Sequence, residues 1–438
     1  MGYRDYLKEL ERSQWFQRKD LEKLQLKKLR SLLMNSYKYV PYYRKLFRSI
    51  NLNPSHIRGL EDLSKIPILR RESIKMDYDD LISRNVNVRK LIPDFTSGST
   101  TGERLKITRV RETYDYGVAA ELRAYEWYGI ERERFYYILG ADYDVENNRR
   151  FRKRVYNFLT KTLVISPLEF SSKERLRVFL DKMSRCRRRV IYGTPSGVCR
   201  FTRFLEEYDV EVNIDCLVST DELLLKQQRK FLTDFFDCEV YDIYGTSEVW
   251  GVAFECNEHG GYHVSSENVI VEVVDENWER VSPGERGRIL LTDLNNCEMP
   301  VIRYDIGDFG ILSDEECGCG RGLHLMKPID GQMVVRDSDY LVSMDGKRVF
   351  VPSFGFLLED YSRVKQFQIV QKKRDEILVR VVRGEKYKKD EMEGFICGRI
   401  CGLLGAVSVE FEYLDDILPD RNGKHRYLVR NHVGDGVF

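Results

Sequence analysis

The sequence lacks an excess of charge of either sign. Its 71 lysines and arginines stand against 70 aspartates and glutamates, which leaves a formal net charge of +1. Binding to nucleic-acid phosphates needs a basic surface, and no nucleic-acid motif occurs, so we expect no nucleic acid as a partner. No apolar run approaches the roughly 18 residues that a membrane-spanning helix needs. The first residues also lack the apolar stretch of a secretory signal, which predicts a cytoplasmic protein without a membrane span.

No cysteine precedes Cys186, although the chain has ten. Thiols in a long chain without a secretory signal are more often buried or bound to metal than paired in disulfides. Three thiolates and one imidazole can close a tetrahedral zinc site. We therefore predict a structural Zn²⁺ with His259 as an alternate ligand, and unlinked thiols in a turn are the other interpretation. The predicted ligands are Cys256, His263, Cys317 and Cys319.

The pattern of apolar residues divides the chain into regions. Residues 1–50 have helical spacing, and short β-type runs alternate with helical stretches from about 90 to 330, which indicates a parallel or mixed sheet. Strands and turns dominate from about 265 to 312. We predict an α/β protein with a large N-terminal multi-subdomain α/β domain over 1–330, part of it β-rich. A small mobile α+β C-terminal domain is predicted over 331–438.

Individual elements follow from the same patterns. The predicted helices lie at Ser172–Cys186, Leu223–Phe236 and Lys386–Leu404. The predicted strands lie at Phe135–Leu139, Val190–Tyr192, Val269–Val274, Gly287–Thr292, Phe367–Gln371, Ile377–Val382 and Ser408–Tyr413. A turn at Ser282-Pro283-Gly284 joins two of these strands.

The Gly-Lys-Ser/Thr ending of a Walker A loop is also missing. In its place the chain has a loop rich in hydroxyl groups and glycine. Backbone amides freed by glycine, together with hydroxyls, can cradle phosphate oxygens. An ordinary Ser/Thr/Gly turn is the alternative. The residues of this candidate phosphate loop are Thr96, Ser97, Gly98, Ser99, Thr100, Thr101 and Gly102.

Two further motifs place polar groups at the end of a strand and after a glycine. Tyr244, Gly245, Thr246 and Glu248 follow what reads as a strand, and open α/β sheets bind ligands at the carboxyl ends of their strands. In this interpretation Tyr244 stacks on a base, Thr246 binds phosphate and Glu248 holds Mg²⁺. Asp308, just after Gly307, can accept hydrogen bonds from two ribose hydroxyls. A strand followed by a turn, and a surface turn, are the alternatives.

A lysine, Lys424, follows a glycine in a polar turn near the end of the chain. It becomes informative because three other motifs precede it in a fixed order. That order resembles the adenylate-forming (acyl-CoA synthetase-like) superfamily, and within it the phenylacetate–CoA ligase and CapK-like branch. The resemblance is carried by Val40–Arg44, Ile66–Leu69, Thr96–Gly102, Tyr192–Ser196, Ser219–Glu222, Tyr244–Glu248, Pro300–Asp308, Cys317–Arg321 and Gly423-Lys424.

The resemblance implies an ATP-dependent, AMP-forming ligase. A carboxylic acid is activated as an acyl-adenylate, and its acyl group then passes to the thiol of CoA or to an amine. The implied cofactors are ATP and Mg²⁺, with CoA as one of the two acceptors. The resemblance assigns catalysis to Lys424, Glu248 and Thr246, and nucleotide binding to Thr96–Gly102, Tyr244, Gly245 and Asp308. We expect the acyl group to contact Tyr137, Gly140, Tyr192, Gly193 and Pro195.

The chain departs from the pattern of the family at two places. The phosphate loop has one more threonine than usual, and Gly331-Gln332 stands where the hinge motif has glycine followed by arginine. A catalytically weakened homologue that acts as a nucleotide-binding or partner protein is therefore the second hypothesis. Aromatic and aliphatic acids both stay open as substrates. A homodimer is one of the assemblies that the sequence leaves open.

Overall fold

The structure is a computed structural model, and it describes residues 2–96, 104–130, 137–139, 163–165, 173–184, 189–328, 335–336, 339–420 and 424–430. Contacts group the chain into two compact units. The first joins Met1–Glu133 with Tyr241–Ile329, and the second joins Arg134–Val240 with Asp330–Phe438. Neither unit is continuous in sequence. The predicted division into residues 1–330 and 331–438 stays a prediction, and Gly331 lies outside the described residues.

Helices and strands follow one another along the described ranges. The helices are α1 (Tyr3–Ser13), α2 (Arg18–Tyr39), α3 (Pro41–Ser49), α4 (Arg71–Met76), α5 (Tyr78–Leu81), α6 (Arg111–Trp127), α7 (Lys173–Ser184), α8 (Pro195–Glu207), α9 (Lys226–Phe236) and α10 (Lys389–Leu404). The strands are β1 (Ile92–Phe95), β2 (Lys106–Arg109), β3 (Tyr137–Leu139), β4 (Leu163–Ile165), β5 (Val190–Gly193), β6 (Cys216–Ser219), β7 (Glu239–Tyr244), β8 (Ala253–Glu255), β9 (Tyr262–Val264), β10 (Val269–Val274), β11 (Arg286–Asp293), β12 (Tyr304–Ser313), β13 (Leu325–Lys327), β14 (Val335–Arg336), β15 (Tyr340–Val342), β16 (Arg348–Phe350), β17 (Val364–Lys373), β18 (Glu376–Arg383), β19 (Ser408–Tyr413) and β20 (Leu428–Arg430). Among these helices, none combines the length and the apolar character needed to cross a membrane.

The first unit is helical at its start and β-rich afterwards, as predicted. α1, α2 and α3 cover most of residues 1–50, and Pro41 occupies the first turn of α3, where its missing N–H costs nothing. The strands from β7 to β13 form antiparallel pairs in the order β10-β11-β12-β13-β9-β8-β7. β1 and β2 pair in antiparallel fashion as a separate two-stranded sheet.

The second unit holds a parallel sheet. β6, β5, β3 and β4 lie side by side in this order, and every pair among them is parallel. The predicted alternation of strands and helices is confirmed in this sheet, because α7, α8 and α9 follow β4, β5 and β6 along the chain. Parallel strands need such crossover helices to bring the chain back to the same end of the sheet.

The last part of the second unit is an α+β layer. β17 and β18 form an antiparallel hairpin, and β20 and β19 add to its two edges in parallel. α10 buries Met392, Ile396, Ile400 and Leu404, which recur every four residues and therefore form one apolar stripe. They belong to one core with the inner faces of β17 and β18. The α/β fold class with a small α+β C-terminal part is confirmed.

Candidate active site

A short turn after β7 carries the predicted metal-binding glutamate. β7 ends at Tyr244, and the chain turns through Gly245 and Thr246 before Glu248. The Thr246 hydroxyl accepts a hydrogen bond from the Val249 amide at 2.9 Å and donates one to the Val249 carbonyl at 3.0 Å. Thr246 therefore closes the turn locally, as side-chain hydroxyls do in ST turns. Its predicted contact with phosphate stays a prediction.

The Glu248 carboxylate is buried, with 6% of the residue exposed. The Tyr304 hydroxyl donates a hydrogen bond to its Oε1 at 3.2 Å, and Arg71 Nη1 lies 3.8 Å from the same atom. Burial raises the pKa of Tyr304, and the charge of Glu248 raises it further, so Tyr304 stays a donor. A phenol and a guanidinium thus hold the carboxylate in place.

Arg109, which the sequence motifs do not include, supports the backbone of this turn. The residue is 2% exposed, and its Nη2 donates to the carbonyl oxygens of Ser247 and Glu248, the latter at 2.7 Å. Its Nη1 pairs with Asp94 Oδ2 at 3.1 Å. One buried cation on the β1–β2 hairpin therefore fixes the turn that presents Glu248.

The candidate phosphate loop starts and ends at a defined base. The Thr96 amide donates to the Leu105 carbonyl at 2.9 Å, and the Leu105 amide donates to the Thr96 hydroxyl at 2.9 Å. Arg71 Nη2 lies 3.4 Å from the same hydroxyl, so Arg71 contacts both the base of the loop and Glu248. The other predicted loop residues, Ser97–Gly102, lie outside the described residues.

The predicted base-stacking and ribose-binding residues meet directly. The Tyr244 hydroxyl donates a hydrogen bond to Asp308 Oδ2 at 2.8 Å, and 7% of Asp308 is exposed. β7 and β12 bring them together although 64 residues separate them in sequence. Tyr304, the first residue of β12, contacts Glu248 from the same strand. Of the predicted nucleotide-binding residues, Tyr244 at the end of β7 and Asp308 within β12 are thus in direct contact.

Arg303, in the motif before Asp308, makes buried contacts that the sequence did not predict. Arg303 is buried, and its Nε donates to Glu272 Oε2 at 3.1 Å while its Nη1 donates to the Ile66 carbonyl at 2.7 Å. Leu69 pairs with Tyr304 as an isolated bridge. The motif at Ile66–Leu69 is therefore placed against the start of β12, and the buried Arg303–Glu272 pair does not fit the alternative interpretation of this motif as a surface turn.

The predicted acyl-binding residues share neighbouring strands of the second unit. β3 pairs with β5 so that Ile138 lies opposite Tyr192, and Leu139 opposite Gly193. Pro195 starts α8, where the Thr194 hydroxyl accepts a hydrogen bond from the Gly197 amide at 3.2 Å and caps the helix. Tyr137, Tyr192, Gly193 and Pro195 therefore lie on adjacent elements. Gly140 lies outside the described residues.

Lys424 also belongs to the second unit. Its amide donates to Asp420 Oδ1 at 3.1 Å, and its carbonyl accepts from the Asp420 amide at 2.8 Å, so two hydrogen bonds join the two residues. Its Nζ donates to the Asp221 carbonyl at 2.7 Å. The lysine is thus held at the segment that follows β6.

The four predicted metal ligands form one cluster in the first unit. Their ligand atoms all lie within 4.8 Å of one another. The Cys256 and Cys317 sulfurs are 3.6 Å apart, and Cys319 Sγ lies 3.3 Å from His263 Nε2. Hydrogen bonds from Cys256 and from His263 lower the pKa of Cys319, which favours a thiolate. Three sulfurs and one imidazole are a donor set that zinc takes, so the residues fit the ion.

His259, the alternate ligand, makes contacts of its own and is not a member of this cluster. His259 Nδ1 lies 3.2 Å from Glu255 Oε1, and its ring stacks on Tyr241 with centroids 5.5 Å apart.

A separate turn carries two of the four ligands, Cys317 and Cys319. It is closed by a hydrogen bond from the Gly320 amide to the Cys317 carbonyl at 3.0 Å. Gly320 has φ of +79°, a conformation that favours glycine.

Comparison with known proteins agrees with this geometry. A family model described as the CapK C-terminal domain matches residues 341–431. Phenylacetate–coenzyme A ligase of Thermus thermophilus is 27% identical over 333 residues, which covers 72% of this chain and 71% of the relative. The chain is therefore similar to the phenylacetate–CoA ligase and CapK-like branch of the adenylate-forming superfamily. A shorter match, 28% identical over 128 residues, is with indoleacetate–lysine synthetase of Pseudomonas savastanoi and covers 28% of the chain and 30% of the relative.

The fold of this chain is also that of a solved ligase. 2-Hydroxyisobutyryl-CoA ligase in the postadenylation state, in complex with 2-HIB-AMP, superimposes with a TM-score of 0.76. The match covers 94% of this chain and 89% of the solved chain at 19% identity. The likeness covers nearly the whole chain, so the two proteins share the α/β fold described above.

Proposed function

We propose that the protein is an ATP-dependent, AMP-forming ligase that activates a carboxylic acid as an acyl-adenylate and transfers the acyl group to CoA. The observation that carries the proposal is the hydrogen bond between Tyr244 and Asp308 next to the fixed carboxylate of Glu248. These are the groups that the family motifs assign to adenine, ribose and metal. Arg71 ties Glu248 to the base of the phosphate loop, so the groups assigned to adenosine and to phosphate lie in one unit.

The first half-reaction joins two anions. An oxygen of the acid attacks the α-phosphorus of ATP, the bond to the β-phosphate oxygen breaks, and pyrophosphate leaves. Negative charge builds on the transferring phosphoryl group, so positioning and charge neutralisation do most of the work. We assign the compact positive charge for this step to Lys424. No general base is needed, because a carboxylic acid is already ionised near neutral pH.

The second half-reaction releases AMP. The thiol of CoA attacks the acyl carbon, its proton is lost to solvent, and the bond between acyl carbon and phosphate oxygen breaks. Phenylacetate, 2-hydroxyisobutyrate and indoleacetate are the acids to test first, because they appear in the names of the relatives. An amine acceptor such as lysine is the alternative, because one relative, matched over 128 residues, is indoleacetate–lysine synthetase.

Two metals accompany the proposal. Mg²⁺ takes carboxylate oxygens as ligands and would neutralise phosphate charge when bound with ATP, and Glu248 is the buried carboxylate that the site holds for it. A structural Zn²⁺ would be held by the cysteine and histidine cluster. Its four positions would all be filled by protein, which is the pattern of structural rather than catalytic zinc. The zinc ligands are Cys256, His263, Cys317 and Cys319.

The test is acid-dependent exchange of pyrophosphate into ATP, run across a panel of aromatic and aliphatic acids. We expect one class of acid to support exchange, and we expect Lys424→Ala to lower the exchange rate strongly while leaving a measurable residual rate. Lys226→Ala, which removes an exposed lysine on α9, is the matched control and should keep wild-type exchange. Mass spectrometry of the product formed with CoA or with lysine then identifies the acceptor. Tight ATP binding without exchange for any acid would instead support the catalytically weakened homologue.

A further inference from the structure

Glu222 uses both oxygens of its carboxylate to join two distant segments of the second unit. Oε1 accepts a hydrogen bond from the amide of His425 at 2.7 Å. Oε2 accepts one from the amide of Ser196 at 3.1 Å. His425 is the residue after Lys424, and Ser196 lies in the first turn of α8, next to the predicted acyl-binding residues. One side chain therefore connects the lysine segment to the acyl-binding segment.

The position of Glu222 follows from the end of β6. The Thr220 amide donates to the Gly193 carbonyl at 3.1 Å, which extends the contact between β5 and β6 by one residue. Asp221 then has φ of +66°, a left-handed conformation that turns the chain and that aspartate tolerates better than most residues. Burial raises the pKa of Glu222, and the donors at Ser196 and His425 act against that rise. A desolvated carboxylate is tolerated when hydrogen bonds satisfy its oxygens.

The lysine segment is held by contacts of two kinds. Asp420 Oδ1 accepts a hydrogen bond from the Lys424 amide, and His425 Nε2 donates to the Phe367 carbonyl at 2.9 Å. Those contacts hold the segment to its own α+β layer. The contacts of Glu222 with His425 and of Lys424 Nζ with the Asp221 carbonyl link it instead to the end of β6. The sequence distance between these partners is 203 residues, so the link is tertiary.

We propose that Glu222 is a positioning residue that fixes Lys424 for adenylate formation by accepting the backbone amide of His425. The inference rests on the proposed function, because it assigns to Glu222 an effect on the step that Lys424 serves. A carboxylate suits this place because it offers an acceptor to each of two N–H donors. An amide has one acceptor oxygen, and its NH₂ group would face the other N–H.

The test substitutes Glu222→Gln and measures acid-dependent ATP–pyrophosphate exchange. We expect kcat to fall by about 10- to 100-fold, because misplacement of a catalytic group by about 1 Å costs that much. KM for ATP should change less than about twofold, since the residues assigned to adenosine and metal belong to the other unit. Glu211→Gln makes the same chemical change at an exposed residue of the second unit and should leave both parameters unchanged.

A double-mutant cycle separates positioning from general destabilisation. If Glu222 acts through Lys424, Glu222→Gln should lower exchange no further when it is added to Lys424→Ala, whose residual rate is measured with labelled pyrophosphate. A further drop, or wild-type kcat in the single variant, would overturn the inference. Should the glutamine variant lack a cooperative melting transition, Glu222→Asp takes its place, because its shorter carboxylate cannot reach both amides. Wild-type protein without exchange for any acid would refute the proposed function itself, which is a separate result.

Discussion

The hydroxyl of Tyr244 lies 2.8 Å from Oδ2 of Asp308 and donates a hydrogen bond to it. Both residues are at least nine-tenths buried, and they come from β7 and β12. A charged acceptor that is removed from water is worth more as a hydrogen-bond partner than an exposed one. The contact therefore fixes the direction of the carboxylate that is assigned to ribose.

Tyr244→Phe tests this contact, because it removes the hydroxyl and keeps the ring. A hydrogen bond to a charged group contributes about 1.5–3 kcal/mol, so we expect kcat/KM for ATP in the exchange assay to fall about 10- to 100-fold. Most of the loss should appear in KM, since Asp308 is assigned to binding. Tyr39→Phe on α2 makes the same change elsewhere and should behave as wild type. Equal kcat/KM in the two variants would show that Asp308 does not depend on Tyr244.

Arg109 gives a second prediction, which concerns stability as well as activity. Arg109→Met keeps the apolar stem but leaves the Ser247 and Glu248 carbonyls without this donor. An unsatisfied buried acceptor costs about 1–3 kcal/mol, so the free energy of unfolding should fall by at least about 2 kcal/mol in urea titrations. Because the turn presents Glu248, exchange should also decrease at temperatures where the variant is fully folded, and higher Mg²⁺ should partly restore it. Unchanged Mg²⁺ dependence would contradict the link from Arg109 to Glu248.

The C-terminal layer shows how much of this fold the sequence could predict. The strand Ser408–Tyr413 is observed with its predicted bounds, and the predicted helix Lys386–Leu404 begins three residues later, at Lys389. Local periodicity is sufficient in this layer, because Met392, Ile396 and Ile400 each repeat after four residues. The four predicted metal ligands are also found together in space, and they could be predicted because thiol and imidazole side chains are rare enough to be informative.

Arg71 and Arg109 show why the rest of the site could not be predicted. Each is one arginine among many, and neither belongs to a recognised motif. The partners of Arg109 in the Glu248 turn are about 139 residues away, so only the tertiary fold reveals them. Arg109 ends the strand that follows the phosphate loop, and its burial, which is unusual for a charged side chain, is visible only in the structure. The buried pair of Arg303 with Glu272 was not predicted either, because the two residues lie 31 positions apart in the sequence.

The metal cluster leads to a third prediction. The purified protein should contain about one zinc per chain by elemental analysis, and removal with a chelator should lower the melting temperature, because an ion that binds only the folded state stabilises it. Cys319→Ser should lower both the zinc content and the melting temperature by at least about 5 °C, the shift expected for a few kcal/mol in a chain of this size. Cys397→Ser on α10 is the control and should keep its zinc. Zinc-free protein with an unchanged melting temperature would refute the site.

The pH dependence of stability gives the last prediction. The pKa of His425 is lowered from 6.5 to about 4, chiefly by burial. The hydrogen bond to the Phe367 carbonyl and the charge of Asp416 raise this pKa, and the charges of Arg203 and Arg200 act in the same direction as burial. Between these two pKa values the unfolded chain binds a proton that the folded chain does not. The contribution of His425 to stability is therefore complete above pH 6.5 and is lost as the pH falls towards 4.

His425→Gln isolates this effect, because an amide can still donate to the Phe367 carbonyl but does not titrate in this range. Between pH 7 and pH 5 the free energy of unfolding should fall by up to about 2 kcal/mol more in the wild type than in the variant. His324, whose pKa burial also lowers to about 4, and Glu222, whose pKa burial raises, contribute equally to both chains and cancel in the comparison. Urea titrations at the two pH values provide the measurement. Parallel losses in the two proteins would mean that His425 is protonated in the folded state as readily as in the unfolded chain.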